Sequence, residues 1–211
     1  MAIFLDSANP DDARRARALG FVAGVTTNPK LMAQESMPPL AILKELVAAF
    51  DGPVWFQVTA DTLEGRLEQA RQAVSVSPGQ VVAKIPANTE NFTLAARLVS
   101  EGITCGVTAV YSPAQVYLAA QAGARYVAPY VSRMTRQLGD GLAVVREMAA
   151  ILRGTQTEIV AASLKSVEEI VSVLMAGAHH VTVPLDLICA MGDHPLSARA
   201  IEEFNGYLSH P

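Results

Sequence analysis

Eight short apolar runs alternate with longer amphipathic stretches along this chain of 211 residues. The runs are rich in β-branched and aromatic residues and nearly free of polar side chains, which is typical of strands buried on both faces. They occupy residues 3–5, 22–25, 54–56, 81–83, 103–107, 126–128, 159–161 and 181–183. The pattern predicts eight parallel strands separated by helices.

Local signals predict where the intervening helices begin and end. Caps before a first-turn proline occur at Asn9-Pro10 and Ser112-Pro113, and capping-box spacing occurs at Asp61/Glu64 and Ser166/Glu169. Apolar residues recur at helical spacing in two sets: Leu63, Leu67, Ala70 and Val74, then Phe92, Ala96 and Val99. Glycines 20, 102, 123 and 177 separate helices from the next strand. Each strand is therefore expected to return through a helix.

Eight such units in a chain of this length predict a single α/β domain over residues 1–211, folded as a (β/α)8 TIM barrel. An open doubly wound sheet is the alternative, but no glycine-rich phosphate loop follows the first strand. An extra C-terminal helix is predicted at about 195–208, with Ile201, Phe204 and Leu208 at helical spacing. Its apolar face would cover either its own barrel or a neighbouring subunit.

Composition and charge favour a protein that acts on a small soluble partner. Hydrophobic residues make up 51% of the chain, charged residues make up 17%, and the net charge is -4 with no basic run. We therefore expect no nucleic acid partner and no membrane association, and the apparent lack of a secretion signal predicts a cytoplasmic location. Cys105 and Cys189 form no C-x-x-C pair and are expected to be small buried hydrophobes.

Polar side chains stand at the carboxyl ends of the predicted strands, where a parallel barrel has its active site. Taken singly, each has an ordinary structural explanation, as a helix cap, a turn hydroxyl or a solvated charge. Taken together, they predict one polar site at the mouth of the barrel. The residues are Asp6, Thr26, Thr27, Asn28, Gln57, Lys84, Thr108, Tyr130, Arg133, Ser163 and Lys165.

Lys84 is the strongest candidate for chemistry, because it ends the β-branched run at residues 81–83. Burial would lower the pKa of its amine, and a neutral amine can attack a carbonyl carbon to form a Schiff base. The alternative is a lysine that extends from the strand end into water.

Metal-dependent chemistry lacks its ligands at this mouth. His179 and His180 precede the eighth strand, at the opposite end of the barrel, and His194 and His210 lie near the C-terminus. We therefore expect no metal and no other cofactor.

Six stretches identify a resemblance to the small transaldolases and fructose 6-phosphate aldolases over nearly the full chain. They are residues 4–9, 23–29, 83–86, 108–111, 128–133 and 161–165, of which Gly-Val-Thr-Thr-Asn-Pro at 24–29 is the most specific. The resemblance implies a Schiff-base barrel with Lys84 as the nucleophile and with Asp6 and Asn28 around it. It also implies ring-shaped pentamers, paired into decamers, in which the last helix reaches a neighbouring subunit.

Two positions favour the aldolase branch of that family. The resemblance implies a glutamate and a phenylalanine at positions 57 and 130 in transaldolases, whereas this chain has Gln57 and Tyr130. The main hypothesis is therefore cleavage and formation of fructose 6-phosphate from dihydroxyacetone and glyceraldehyde 3-phosphate. The alternatives are a transaldolase of the pentose phosphate pathway and a non-catalytic barrel that binds sugar phosphates.

The resemblance also assigns expected roles around Lys84. A catalytic water would be held by Tyr130, Gln57 and Thr108, while Asp6, Asn28 and Thr26 would lie along the bound sugar. Two cations and a hydroxyl suit a phosphate dianion, so Arg133, Ser163 and Lys165 are predicted to bind the phosphate group. One departure follows Arg133: the family often carries an aspartate two residues on, whereas this chain has Met134-Thr135-Arg136. The added cation, Arg136, would favour a more anionic acceptor.

Overall fold

The eight predicted strands form one closed parallel barrel in a computed structural model that describes residues 1–208. The strands pair in chain order, and the last pairs with the first. They are β1 Ala2–Asp6, β2 Val22–Thr26, β3 Val54–Gln57, β4 Val81–Pro86, β5 Cys105–Val110, β6 Tyr126–Pro129, β7 Glu158–Ala161 and β8 His180–Val183. The fifth strand is shifted towards the C-terminus relative to the prediction.

Helices follow the strands, which confirms the (β/α)8 fold and the predicted extra helix. The helices are α1 Pro10–Leu19, α2 Pro29–Met32, α3 Pro39–Ala49, α4 Leu63–Val76, α5 Thr89–Ser100, α6 Pro113–Gln121, α7 Val131–Leu138, α8 Gly141–Ile151, α9 Val167–Met175, α10 Leu185–Ala190 and α11 Pro195–Leu208. The short helix α2 directly follows the carboxyl end of β2, so it lies at the mouth of the barrel.

Helix starts agree with the predicted caps at three of four positions. The side chains of Asn9, Ser112 and Ser166 accept hydrogen bonds from the first turns of α1, α6 and α9. Asp61 is not a cap; its neighbour Thr62 accepts from the backbone N–H of Gly65 instead. Threonine and aspartate are both good caps, so composition could not choose between adjacent positions.

The buried face of α5 differs from the predicted one. Asn91, Leu94, Ala95 and Leu98 are buried, whereas Ala96 is exposed and Phe92 and Val99 are only partly buried. Two overlapping apolar spacings share this helix, and the barrel selects the one rotated towards the sheet.

Inward-pointing side chains form two layers in the barrel, because alternate residues of each strand face the interior. In the lower layer, Phe4 packs edge to face against Trp55 and Tyr126, and the Phe4 and Trp55 ring centroids lie 6.1 Å apart. The Trp55 and Tyr126 rings are tilted against each other. Gly106 makes room for them, since a Cβ there would come within 2.6 Å of the Trp55 ring. Two residues further along the strands lie Asp6, Gln57 and other polar side chains. This upper layer forms the site.

Outside the barrel, one prediction of burial is wrong, and one of the two alternatives for the last helix is excluded. Cys105 is buried, but Cys189 is exposed. Ile201 and Phe204 on α11 are 59% and 66% exposed, so this face of the helix does not cover its own barrel. The side chain of Leu208, predicted on the same face, lies outside the described residues. Across residues 1–208, no helix has both the length and the apolar character needed to cross a membrane.

Candidate active site

One cavity at the carboxyl ends of the strands brings together nine of the eleven polar residues predicted at the mouth. It has a volume of about 380 Å³. The nine are Asp6, Thr26, Asn28, Gln57, Lys84, Tyr130, Arg133, Ser163 and Lys165. Thr108 is not in the lining, but it is hydrogen-bonded to Tyr130, which is. Thr27 does not line the cavity either, and its hydroxyl donates to the backbone carbonyl of Trp55. Arg136 is exposed on α7 and does not line the cavity.

Lys84 lies at the base of this cavity and is only 4% exposed, so it does not extend into water. Its Nζ donates a hydrogen bond of 2.7 Å to the backbone carbonyl of Thr27. Burial lowers the pKa of the amine, while the nearby carboxylate of Asp6 acts in the opposite direction. The net effect favours the neutral, nucleophilic form.

Asp6 shares the upper layer with two threonine hydroxyls from neighbouring strands. Thr26 Oγ1 donates to Asp6 Oδ1 at 3.0 Å and lies 2.6 Å from Thr182 Oγ1. Burial raises the pKa of the Asp6 carboxyl, and the charge of Lys84 and the bond from Thr26 partly offset that rise. Asp6 and Lys84 are therefore electrostatically coupled across the cavity.

Tyr130 lines the cavity, and two residues outside the lining, Thr108 and Tyr111, contact its hydroxyl and its ring. Thr108 Oγ1 donates to the Tyr130 hydroxyl at 3.2 Å, and the Tyr111 ring packs edge-on against the Tyr130 ring. Thr108 precedes a β-bulge at Ala109, whose φ is +54°. Gln57 Oε1 is buried and has no hydrogen-bond partner in the described residues, so it can accept one from a bound molecule.

Cations gather on the side of the mouth formed by β6 and β7. The Arg133 guanidinium lies over the Tyr130 ring, 4.7 Å from its centroid, and Lys165 follows β7. Ser163 has a left-handed backbone, with φ of +60°. The carboxylate of Glu169 accepts from Ser132 Oγ and from the backbone N–H of Lys165, both at 2.7 Å. These bonds tie the start of α7, which carries Arg133, to the loop after β7, which carries Lys165.

Asn28 is both a helix cap and a residue of the cavity lining. Its Oδ1 accepts from the backbone N–H of Leu31 and caps α2. The residue also lines the cavity, and the structure records no hydrogen bond from its side-chain amide nitrogen within residues 1–208. That nitrogen can donate to a ligand.

Sequence reasoning missed eight residues of the cavity lining, two of which, Thr182 and Lys30, carry a hydroxyl and a charge at the mouth. The other six are Pro29, Leu31, Gln34, Trp55, Ala128 and Ala162. Thr182 lies between two valines on β8, and the alternation of that strand could have placed it inside the barrel. Lys30 belongs to α2, which was not predicted as a helix. In strand order, β2 lies opposite β6, so Lys30 and Arg133 stand on opposite sides of the mouth.

Metal ligation has no obvious basis in the part of the chain that the structure covers. Among residues 1–208, no three His, Cys, Asp or Glu side chains lie close enough to hold an ion together. His180 bonds Glu158 at 2.8 Å at the amino end of the barrel, away from Lys84.

The fold and the polar mouth define a TIM barrel with a candidate active site at the carboxyl ends of its strands, and solved structures support the fold. An inosine 5′-monophosphate dehydrogenase from Legionella pneumophila superposes with a TM-score of 0.63 at 16% identity, covering 89% of this chain and 58% of that chain. A mandelate oxidase mutant superposes with a TM-score of 0.60 at 16% identity, covering 88% of this chain and 64% of that chain. The chain thus spans about three fifths of these structures, and at this identity the likeness concerns the fold alone.

Sequence comparison defines the family more closely. The model of the Transaldolase/Fructose-6-phosphate aldolase family matches residues 3–210, and the chain belongs to this family. A "Probable transaldolase" of Heliobacterium modesticaldum is 40% identical over 206 residues, covering 97% of this chain and 95% of that protein. Another of that name, from Symbiobacterium thermophilum, is 37% identical with the same coverage.

Proposed function

We propose that the protein cleaves a ketose phosphate through a Schiff base on Lys84 and transfers the three-carbon unit to an aldose phosphate. The observation that carries this proposal is the buried amine of Lys84 in a polar cavity shared with Asp6. A lysine that served only solubility would not be 4% exposed at the base of a cavity.

The first half-reaction requires three steps at this site. The neutral Lys84 amine adds to the ketone carbon C2, and loss of water gives an iminium ion. A base then takes the proton of the C4 hydroxyl, the C3–C4 bond breaks, and its electron pair moves into the iminium to form an enamine. The aldose phosphate leaves, while dihydroxyacetone remains bound to Lys84 as the enamine.

The cavity offers a group for each requirement of those steps. Tyr130, held by Thr108, and the free acceptor Gln57 Oε1 would position a water that carries the C4 proton. Arg133, Lys165 and Ser163 would hold the phosphate at the far end of the sugar. Asn28 and Asp6 would orient the hydroxyls of the three-carbon unit.

The fate of the enamine separates two activities. If it attacks the carbonyl carbon of an acceptor aldose phosphate, the enzyme is a transaldolase. If it is protonated and hydrolysed, free dihydroxyacetone is released and the enzyme is a fructose 6-phosphate aldolase. The names of the relatives support transfer. These names therefore favour transaldolase activity, which the sequence alone had made the alternative to the aldolase.

Aldol cleavage without an acceptor remains the second candidate, and a specific pair of residues favours it. Gln57 and Tyr130 stand where the resemblance implies glutamate and phenylalanine in transaldolases. With Gln57 and Tyr130, an amide and a phenol would hold the water near the enamine, where transaldolases of the family would use the carboxylate of the glutamate. A barrel that only bound sugar phosphates would need the cations of the mouth but would not need Lys84.

Assembly is part of the proposal. We propose that the exposed apolar face of α11, with Ile201 and Phe204, packs on a neighbouring copy in a pentamer or decamer. Light scattering of the full-length protein measures the mass directly, and a monomer at micromolar concentration would contradict this assembly.

The function is tested by trapping and by substrate trials. Borohydride reduction during incubation with fructose 6-phosphate should leave a three-carbon adduct, mapped by mass spectrometry to Lys84. Lys84→Met should abolish both the adduct and turnover, whereas Lys44→Met, at an exposed position of α3, should retain both. An adduct that formed equally well in Lys84→Met would overturn the proposal.

The same assay ranks the two outcomes of the enamine. Turnover of fructose 6-phosphate that depends on added erythrose 4-phosphate supports transfer. Release of free dihydroxyacetone at a similar rate without acceptor would support the aldolase instead.

A further inference from the structure

Thr182 lies in the wall of the cavity, although the proposed mechanism gives it no role. It is 4% exposed and belongs to β8. Its Oγ1 lies 2.6 Å from Oγ1 of Thr26, which belongs to β2 and is 1% exposed. Since β1 pairs with both strands, this contact joins the two neighbours of the strand that carries Asp6.

The direction of the hydrogen bonds follows from counting protons. A threonine hydroxyl has one proton to donate. Thr26 Oγ1 donates its proton to Asp6 Oδ1 at 3.0 Å. The proton between the two threonines must then come from Thr182. The result is a chain of donors that runs from Thr182 to Thr26 to Asp6 and crosses three adjacent strands.

We infer that Thr182 is a positioning residue of the active site, which acts through Thr26 to hold Asp6 as an oriented carboxylate facing Lys84. The inference rests on the proposed function for its consequence in catalysis. Hydrogen bonds in series polarise one another in a site of low dielectric constant, so the bond donated by Thr182 strengthens the bond that Thr26 donates.

Thr26 consequently has no proton left to donate to a substrate and keeps only one acceptor lone pair free. It was expected to bind the substrate, but its proton is donated to Asp6 and its oxygen accepts from Thr182. Among the described residues, Thr26 provides the only side-chain hydrogen bond recorded to Asp6, because Lys84 Nζ donates to the Thr27 carbonyl. The orientation of the carboxylate therefore depends on the threonine pair.

Other charged groups around Asp6 do not replace this chain. Lys84 faces it from β4 and Lys165 from the loop after β7, and both favour the ionised carboxylate. Lys30 and Arg133 also line the cavity. These groups act through space, Lys84 only while its amine is protonated, so they favour the charge of Asp6 without fixing its rotation.

The test removes the Thr182 hydroxyl and then restores it. We expect Thr182→Val to lower kcat for fructose 6-phosphate about tenfold, the rate equivalent of one buried hydrogen bond. The acid limb of the pH–rate profile should move to higher pH, because the ionised form of Asp6 loses support. Thr182→Ser keeps the hydroxyl and should restore both the rate and the profile.

A matched control separates positioning from stability. Thr157 is also 4% exposed, and its hydroxyl donates to the backbone carbonyl of Ala124 at 2.7 Å, just before β7 begins. Thr157→Val should reduce stability comparably without moving the pH profile. If Thr182→Val does not fold, Thr182→Ala carries the same comparison.

A second readout does not depend on activity. The Asp6 carboxyl titration, followed by carbon NMR in the unliganded protein, should shift to higher pH in Thr182→Val and return in Thr182→Ser. An unchanged titration and an unchanged kcat in Thr182→Val would overturn the inference. A wild-type protein that forms no Lys84 adduct would instead overturn the proposed function, and the titration would still decide the role of Thr182.

Discussion

The two layers inside the barrel use the same strands for opposite purposes. The lower layer is aromatic and closely packed, with Phe4, Trp55 and Tyr126 in mutual contact. The upper layer, one alternation further along each strand, is polar and open to the cavity. The change from one to the other takes two residues, as from Phe4 to Asp6 or from Trp55 to Gln57.

Glycines on other strands leave the space that the aromatic rings of the lower layer fill. The Phe4 ring fills the space beside Gly24, where a Cβ would come within 2.8 Å of the ring, and the Trp55 ring does the same beside Gly106. Burial lowers the pKa of the Lys84 amine, and we expect the filled lower layer to contribute to this burial by leaving no room for water beneath the amine. The lower layer thus supplies the stability and the low dielectric constant that the upper layer needs for its chemistry.

The largest difference between the effect on activity and the effect on stability is expected for a substitution at Tyr130, in the upper layer. Tyr130→Phe removes the hydroxyl that Thr108 bonds, while the ring keeps its contact with Arg133. Loss of a group that holds the catalytic water should lower kcat about 10²- to 10⁴-fold with little change in melting temperature. Steady-state kinetics and thermal melts measure the two effects.

The matched control for Tyr130 is its neighbour Tyr111, whose ring packs on it from outside the cavity. Tyr111→Phe should leave kcat near the wild-type value. If both variants lost activity equally, the phenol of Tyr130 would have no special role in proton transfer.

The reverse result is expected at Phe4 in the lower layer. Phe4→Ala empties a packed site and should reduce the free energy of unfolding by about 3–5 kcal/mol. Because Phe4 does not line the cavity, kcat per folded molecule should stay near that of the wild type. Chemical denaturation gives the first quantity, and kinetics below the melting transition gives the second.

Phe4→Leu is the control for volume and should cost less stability than alanine. A large drop in kcat for the folded Phe4→Leu protein would show that the two layers are not separable.

The fold could be predicted from the sequence because strand burial leaves a plain signal. Each strand is apolar on both faces, and each polar residue that ends a strand marks the carboxyl end of the barrel. Asp6, Gln57 and Lys84 could therefore be assigned to one mouth without any knowledge of their distances.

What escaped prediction depends on packing between elements distant in the sequence. The Thr182 hydroxyl meets Thr26 across 156 positions of sequence, and Lys84 bonds a backbone carbonyl at Thr27, which no side-chain pattern indicates. The buried face of α5 depends on how the helix rotates against the sheet. None of these is encoded by local periodicity or by capping signals.

The smallest expected effect is a difference in how stability depends on pH, and it tests whether the lower layer truly desolvates Lys84. Burial lowers the pKa of the folded-state amine, whereas in the unfolded chain it titrates at about 10.4. At pH values between the folded-state and the unfolded-state pKa, the Lys84 amine carries a proton in the unfolded chain but not in the folded chain. The amine therefore makes the free energy of unfolding rise with pH across this window. The rise in the free energy of unfolding should end near the pKa of the amine in the unfolded chain.

Lys84→Met removes that titration, so its stability relative to the wild type should be greatest on the acid side of this window and should shrink as pH rises. Urea unfolding midpoints from neutral pH to about 10 measure the difference. Lys44→Met, at an exposed position on α3, is the control and should not change the slope. A relative stability of Lys84→Met that grew with pH would mean that the folded protein holds the lysine charged, and the nucleophile would then need a base to deprotonate it before each turnover.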